Sequence, residues 1–201
     1  MNTQTTPETE ERSASEPLKG VDDHGRNNAI AGMDNILEMV AALEVDYDRL
    51  EELKEELGSL EATRWRAASG GSELFEEYAT VCEELDKWNL DNRDEYKELL
   101  EAAGECTSRE DAEQRIHEDA LSVEVRSGWA PIGGALNAEE YMILLTTGGP
   151  ALRIRGELRN GEPYRCWLEY QDWGTPWTEY HGPNADMDTL LTYSHQFYFG
   201  E

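Results

Sequence analysis

The pattern of apolar and polar positions divides the chain into three stretches. Residues 1–22 are rich in Thr, Glu, Ser and Pro and hold almost no large apolar side chains. Such a segment cannot bury enough surface to offset the entropy of ordering, which predicts a disordered tail. From about Asp23 the apolar spacing becomes helical. Ile36, Met39, Leu43, Leu50, Leu53, Leu57 and Leu60 fall on one heptad-like stripe, widened by Val40 and Tyr47 and broken at Asp46. Asp46 is able to start a helix, so the stripe reads either as one long helix or as two joined near Val45. Ser69-Gly70-Gly71-Ser72 ends the pattern, with Ser72 as the expected N-cap of the next helix.

A helix is predicted over about 73–88, with Leu74, Phe75, Tyr78, Val81, Cys82, Leu85 and Trp88 on its apolar face. Another is predicted over about 92–103, where Tyr96, Leu99, Leu100 and Ala103 precede Gly104. Ser108-Arg-Glu-Asp111 resembles a capping box and opens a short helix to about His117. Between Pro17 and Pro131 there is no proline, which suits a helical region. The economical arrangement is an antiparallel helical hairpin or small bundle, coiled-coil-like, with its polar faces outward.

The period changes at about Leu121. Ser122-Val-Glu-Val-Arg126 alternates, as a strand does, and Tyr141-Met-Ile-Leu-Leu-Thr-Thr147 is an apolar run fit for a central strand. Gly148-Gly149-Pro150 turns the chain. Leu152, Ile154 and Leu158 then alternate with Arg153, Arg155 and Glu157. Asn160-Gly161 is a strong hairpin signal, because both residues tolerate positive φ. Tyr164, Cys166, Leu168 and Tyr170 alternate with Arg165, Trp167 and Glu169, and a last helix is predicted over about 187–199. The expected fold class is α+β: an acidic helical hairpin or bundle, then a four-stranded antiparallel β-meander with a C-terminal helix packed on it. The expected units are a tail over 1–22, a helical region over 23–119 and an α+β domain over 120–201.

Charge sharpens this division. The 201 residues carry 44 Asp+Glu against 17 Lys+Arg, a formal net charge of −27. That excludes a free nucleic-acid binder, which needs a basic footprint. No run approaches the ~18 apolar residues of a membrane span. With 6 Trp and 9 Tyr the chain is too aromatic to be wholly disordered. The three cysteines, Cys82, Cys106 and Cys166, form no CxxC or metal-ligand spacing, and the start of the chain lacks a signal-peptide pattern. These features lead to the expectation of a cytoplasmic, reduced protein with no metal and no cofactor. The net charge is −5 over 1–43, −16 over 44–119 and −6 over 120–201. A chain adapted to high salt is acidic throughout, so this distribution points instead to a local surface.

Residues 46–103 hold 18 Asp+Glu and 7 Lys+Arg. Two arms of about 25 residues are each about 37 Å long, which gives about one carboxylate per 2 Å of hairpin. Duplex DNA presents about one phosphate per 1.7 Å of axis. Net of the basic residues, the hairpin drops to about one charge per 3.4 Å, so the imitation is partial. Glu51 with Glu55, and Glu52 with Glu56, are like charges at i, i+4 and mildly destabilising, so a carboxylate field is favoured there over helix stability. The expected partner-binding surface is Asp46, Asp48, Glu51, Glu52, Glu55, Glu56, Glu73, Glu76, Glu77, Glu83, Glu84, Asp91, Asp94, Glu95 and Glu98. The plain alternative is a soluble acidic scaffold. The stripe Leu43, Leu50, Leu53, Leu57 and Leu60 is also a candidate homodimer seam.

Gln171-Asp-Trp-Gly-Thr-Pro-Trp-Thr-Glu-Tyr180 gathers Trp173, Trp177 and Tyr180 around a Gly and a Pro. It reads either as a second contact or as aromatics folded back over the sheet end. His117, His181 and His195 share no ligand spacing, and there is no GxSxG, P-loop or GxGxxG. Asp172, Glu179 and His181 are the one group that could assemble a hydrolase-like cluster. No catalytic residue is assigned.

Several blocks resemble a family of short acidic proteins encoded on plasmids and integrative conjugative elements of proteobacteria. They are Asp23-His-Gly-Arg-Asn-Asn-Ala29, Leu121-Ser-Val-Glu-Val-Arg-Ser-Gly-Trp129, Gly148-Gly-Pro150, Gln171-Asp-Trp-Gly-Thr-Pro-Trp-Thr-Glu-Tyr180 and Phe197-Tyr-Phe-Gly-Glu201. The likeness covers about 23–43 and 111–201, and the acidic middle matches only loosely. The resemblance implies genomic company, since such elements carry inhibitors of host restriction and CRISPR systems. The resulting expectation is a non-enzymatic anti-CRISPR or anti-restriction inhibitor, docking a DNA-mimicking surface on the basic surface of a host complex that handles nucleic acid. The alternatives are a self-associating structural or regulatory module of a mobile element, and a small-ligand binder or enzyme using the Trp173 to His181 loop.

Overall fold

The computed structural model describes residues 24–134 and 136–200. The expected tail over 1–22 lies outside the described residues. The fold is α+β: helices first, then an antiparallel sheet, then a short helix. Helix α1 is His24–Leu43 and α2 is Tyr47–Ser69. The heptad stripe is therefore two helices. Asp46 makes the break by capping α2, its carboxylate accepting the Arg49 backbone N–H at 3.0 Å.

Helix α3 is Phe75–Ala103, one continuous helix rather than the two expected over 73–88 and 92–103. The polar Asn89 to Asn92 stretch lacks Gly and Pro and simply faces outward, with Asn92 half-buried. Ser72 is not the cap of this helix. It begins a 3₁₀ turn, Ser72–Leu74, that leads into it. Helix α4 is Arg109–Asp119, and the Ser108 side chain accepts the Asp111 N–H as the capping box requires.

The sheet runs in the order β1-β2-β3-β4-β5, all antiparallel, through Ser122–Arg126, Glu140–Thr146, Ala151–Arg159, Glu162–Gln171 and Thr178–Glu179. Four strands match the expected meander; β5, of two residues, is the addition. Asn160 and Gly161 both take positive φ at the β3–β4 hairpin. Helix α5, Met187–Ser194, stops earlier than residue 199. Bonds from Gln196 N–H to Tyr193 and from Phe197 N–H to Ser194 tighten its end, and Phe199 turns back to pack on Tyr141.

The main core lies between one face of the sheet and three helices. Tyr141, Ile143, Ile154 and Leu168 from the strands meet Met33, Ile36 and Met39 of α1, Ile116 of α4 and Leu190 and Tyr193 of α5. Helix α1 thus leaves the helical bundle and belongs to the sheet. Its close approach rests on Gly32, where a Cβ would fall 2.2 Å from the Leu152 side chain. The core crosses the compositional boundary at 119/120, which marks a change of period and charge rather than a break in packing. The opposite sheet face carries a ladder of charges: Arg126 and Arg155 on Glu140, and Arg153 on Glu169 at 2.6 Å.

Candidate functional site

Helices α2 and α3 form a hairpin of their own. Leu50, Leu53 and Ala67 of α2 pack toward Val81, Leu85 and Trp88 of α3, and all six are buried. Three polar contacts step along it and fix its register. Arg49 clasps Glu95 with two bonds of 3.1 and 3.0 Å, the Trp88 indole N–H donates to Glu56 at 3.1 Å, and Arg66 meets Glu77 at 2.6 Å. The bidentate Arg49 contact holds the Glu95 carboxyl below its usual range, by hydrogen bonding first and charge second.

The carboxylates expected on the binding surface divide by what they already do. Asp46 is the helix cap, Glu51 pairs with Lys54, Glu52 and Glu95 with Arg49, Glu77 with Arg66 and Asp94 with Arg93, while Glu56 accepts from Trp88. Asp48, Glu55, Glu73, Glu76, Glu83, Glu84, Asp91 and Glu98 are exposed, and their carboxylates make no hydrogen bond or ion pair among the described residues. Glu77, Glu84, Asp91 and Glu98 recur every seven residues and line one side of α3, about 10 Å apart. The longer arm, α3, spans about 43 Å, so the 18 carboxylates of 46–103 amount to about one per 2.4 Å of hairpin. The surface is dense in carboxylates and strongly acidic in balance, with seven Lys and Arg interspersed among them.

The far end of the hairpin carries a feature that periodicity missed. Trp65 is 74% exposed and Phe75 72%, and Tyr78 is partly exposed. Phe75 and Tyr78 line a shallow recess with Ala67, Gly70 and Gly71. Periodicity alone puts Phe75 and Tyr78 on the buried face. Leu74 takes the seam position at the turn instead, resting where a Cβ on Gly70 would stand, 2.1 Å from the Leu74 side chain. The available signal was Trp65 itself, which lies off the leucine stripe.

The leucine stripe is turned inward. Leu43 joins the sheet core, Leu50 and Leu53 are buried in the hairpin, and Leu57 and Leu60 are half-buried. The aromatic loop does not converge. Trp173 lies over the turn before β3, its indole N–H donating to the Gly149 carbonyl at 3.1 Å. Trp177 stacks on the Arg153 guanidinium at 3.9 Å, on the outer sheet face. Tyr180 is buried on the helix side, its hydroxyl donating to Asn184. His181 is 3.8 Å from Glu179, both exposed, while Asp172 accepts the Trp173 N–H. Asp172 is therefore engaged in its own turn, and among the described residues no nucleophile is hydrogen-bonded to the His181–Glu179 pair. Among the described residues no three His, Cys, Asp or Glu are placed to hold a metal ion, and no helix is long and apolar enough to cross a membrane.

Comparison with family models, curated proteins and solved structures returns no match.

Proposed function

We propose that the protein is a non-enzymatic inhibitor whose α2–α3 hairpin docks on the basic, nucleic-acid-binding surface of a host defence complex of the restriction or CRISPR kind. The observation that carries this reading is the set of exposed carboxylates, unpaired among the described residues, on a hairpin whose register is fixed by the bidentate Arg49–Glu95 contact. Like charges held together on a stiff support raise the local potential and steer a basic partner, without reorganisation on binding. The aromatic tip supplies what charge alone lacks, since buried aromatics commonly dominate binding energy. The resemblance to proteins of proteobacterial mobile elements agrees with this role and with a cytoplasmic location. The protein itself would contact neither free nucleic acid nor membrane. The inward-turned leucines weaken a homodimer through that stripe, and the divergent Trp173, Trp177 and Tyr180 weaken a ligand site in that loop.

The test is binding of the full chain to purified restriction and CRISPR effectors across a salt series. The expected outcome is capture at low salt by at least one effector, with displacement of its nucleic acid. Joint charge reversal at Glu55, Glu83, Glu84 and Asp91 should slow association by about tenfold or more. Those four carboxylates support no internal contact, so an unchanged rate in a folded variant removes the proposal.

A further inference from the structure

The edge of the sheet at β1 is built unlike the rest of the surface. Among the described residues strand β1 pairs only with β2, and no other strand lies along its outer side. Natural edges are usually blunted by Lys, Pro or inward charge. Here Val123 and Val125 share the helix-side face with Ile143 and Tyr141 but remain 39% and 51% exposed. Leu121 and Trp129, just outside β1, are also exposed, Trp129 fully. In a chain of net charge −27, residues 121–138 hold a single Glu, Glu124, and a single Arg, Arg126. This is a neutral, apolar edge on a molecule that otherwise repels its own copies.

We propose that this edge is a two-fold interface: β1, extended through Trp129, pairs antiparallel with β1 of a second copy to make one sheet continuous across both. The order of residues 121–129 selects this occupant. A two-fold axis perpendicular to the sheet keeps the two helix-side faces on one side, as burial requires. With the axis at Val125, Val125 faces Val125 of the second copy and Leu121 faces Trp129. On the outer face Glu124 then stands opposite Arg126, twice over. Moving the axis one residue toward Glu124 sets Glu124 against Glu124. Moving it to Val123 leaves both charges without an opposite. Only the Val125 register matches apolar with apolar and acid with base. Arg126 already rests on Glu140 at 2.7 Å, but its side chain is 69% exposed and has donors to spare for a second carboxylate.

The experiment uses the full chain in analytical ultracentrifugation over a concentration series. Wild type is expected to dimerise. E124R presents only guanidinium groups at the paired positions and R126E only carboxylates. Each alone is expected to dimerise about tenfold more weakly or not at all. Mixed one to one, they should recover a heterodimer of wild-type strength, because every pair is again acid against base. V125K places a lysine on the axis and should give a monomer whose circular dichroism equals that of wild type. A wild-type chain that stays monomeric overturns the proposal. So does a dimer insensitive to both single charge changes, or a mixture that fails to recover. E124R pairing better with wild type than with R126E overturns the register.

Discussion

A Cβ on Gly156 of β3 would lie 2.4 Å from the Arg165 carbonyl oxygen and 2.4 Å from the Tyr141 ring. Neither neighbour is able to retreat. Arg165 is in the paired ladder of β4, and Tyr141 is buried against Phe199 with ring centroids 4.5 Å apart. Gly156→Ala should therefore cost about 1–3 kcal/mol by overpacking. A lowered midpoint of chemical denaturation at unchanged slope reads this out, and a wild-type midpoint refutes it. The cysteines give a second prediction at this scale. Burial pushes the Cys166 thiol up to about 12, Cys106 is buried, and Cys82 is half-buried. A thiol reagent at neutral pH should modify Cys82 in the native chain, with Cys106 and Cys166 reacting only as the protein unfolds. Rapid labelling of Cys166 would contradict its burial. The sequence carried the alternation that puts Cys166 on the core side of a strand. It carried nothing to say that Cys82, on the apolar face of its helix, stops short of full burial.

At the scale of elements, the seam of the α2–α3 hairpin decides whether the carboxylates stand in fixed places. Leu53 is fully buried there, without any contribution from the sheet core. Leu53→Ala should destabilise the chain by about 2–5 kcal/mol, through lost transfer energy and the cavity left behind. Chemical denaturation followed by circular dichroism measures it, and a cost below that of an exposed leucine would place the seam elsewhere. The helical stripe was legible because apolar residues recur at heptad spacing, while Asp46 left one helix or two open until its capping of α2 decided for two. The partnership of the helices was only partly legible. Periodicity shows that α1 has an apolar face, not which surface covers it, and Gly32 and Ala29 were the unread clue that this face meets a sheet at short range. The continuity of α3 was hidden by Asn89 to Asn92, where low apolarity imitates a break although no breaker is present. At the sheet, turn chemistry at Asn160-Gly161 and strict alternation made β3 and β4 readable. A two-residue strand such as β5 has too few positions to show any period. The acidic surface was readable as composition; which of its carboxylates are unpaired among the described residues became visible only when Arg49, Arg66 and Trp88 had found their partners.

For the whole molecule, charge sets two opposite responses to salt. If every Lys and Arg were paired, 27 carboxylates would still lack a counterpart, so self-repulsion exceeds the total of attractive pairs. The visible ion pairs are mostly exposed and individually weak, which leaves repulsion as the larger effect. Screening shortens from a Debye length of about 30 Å at 0.01 M to about 3 Å at 1 M, and so removes more repulsion than attraction. The melting temperature should therefore rise with sodium chloride, by about 3 °C or more between these limits. Association with a basic partner should weaken over the same range, because there the opposed charges attract. Replacing Glu55, Glu83 and Glu84 by glutamine ought to reproduce both effects without added salt: a higher melting temperature and slower docking. The two readouts share one cause, so they must move in opposite directions. Docking that strengthens with salt while the melting temperature rises would assign the contact to the aromatic tip at Trp65 and Phe75, and the carboxylates would then serve only to keep the chain apart from its neighbours.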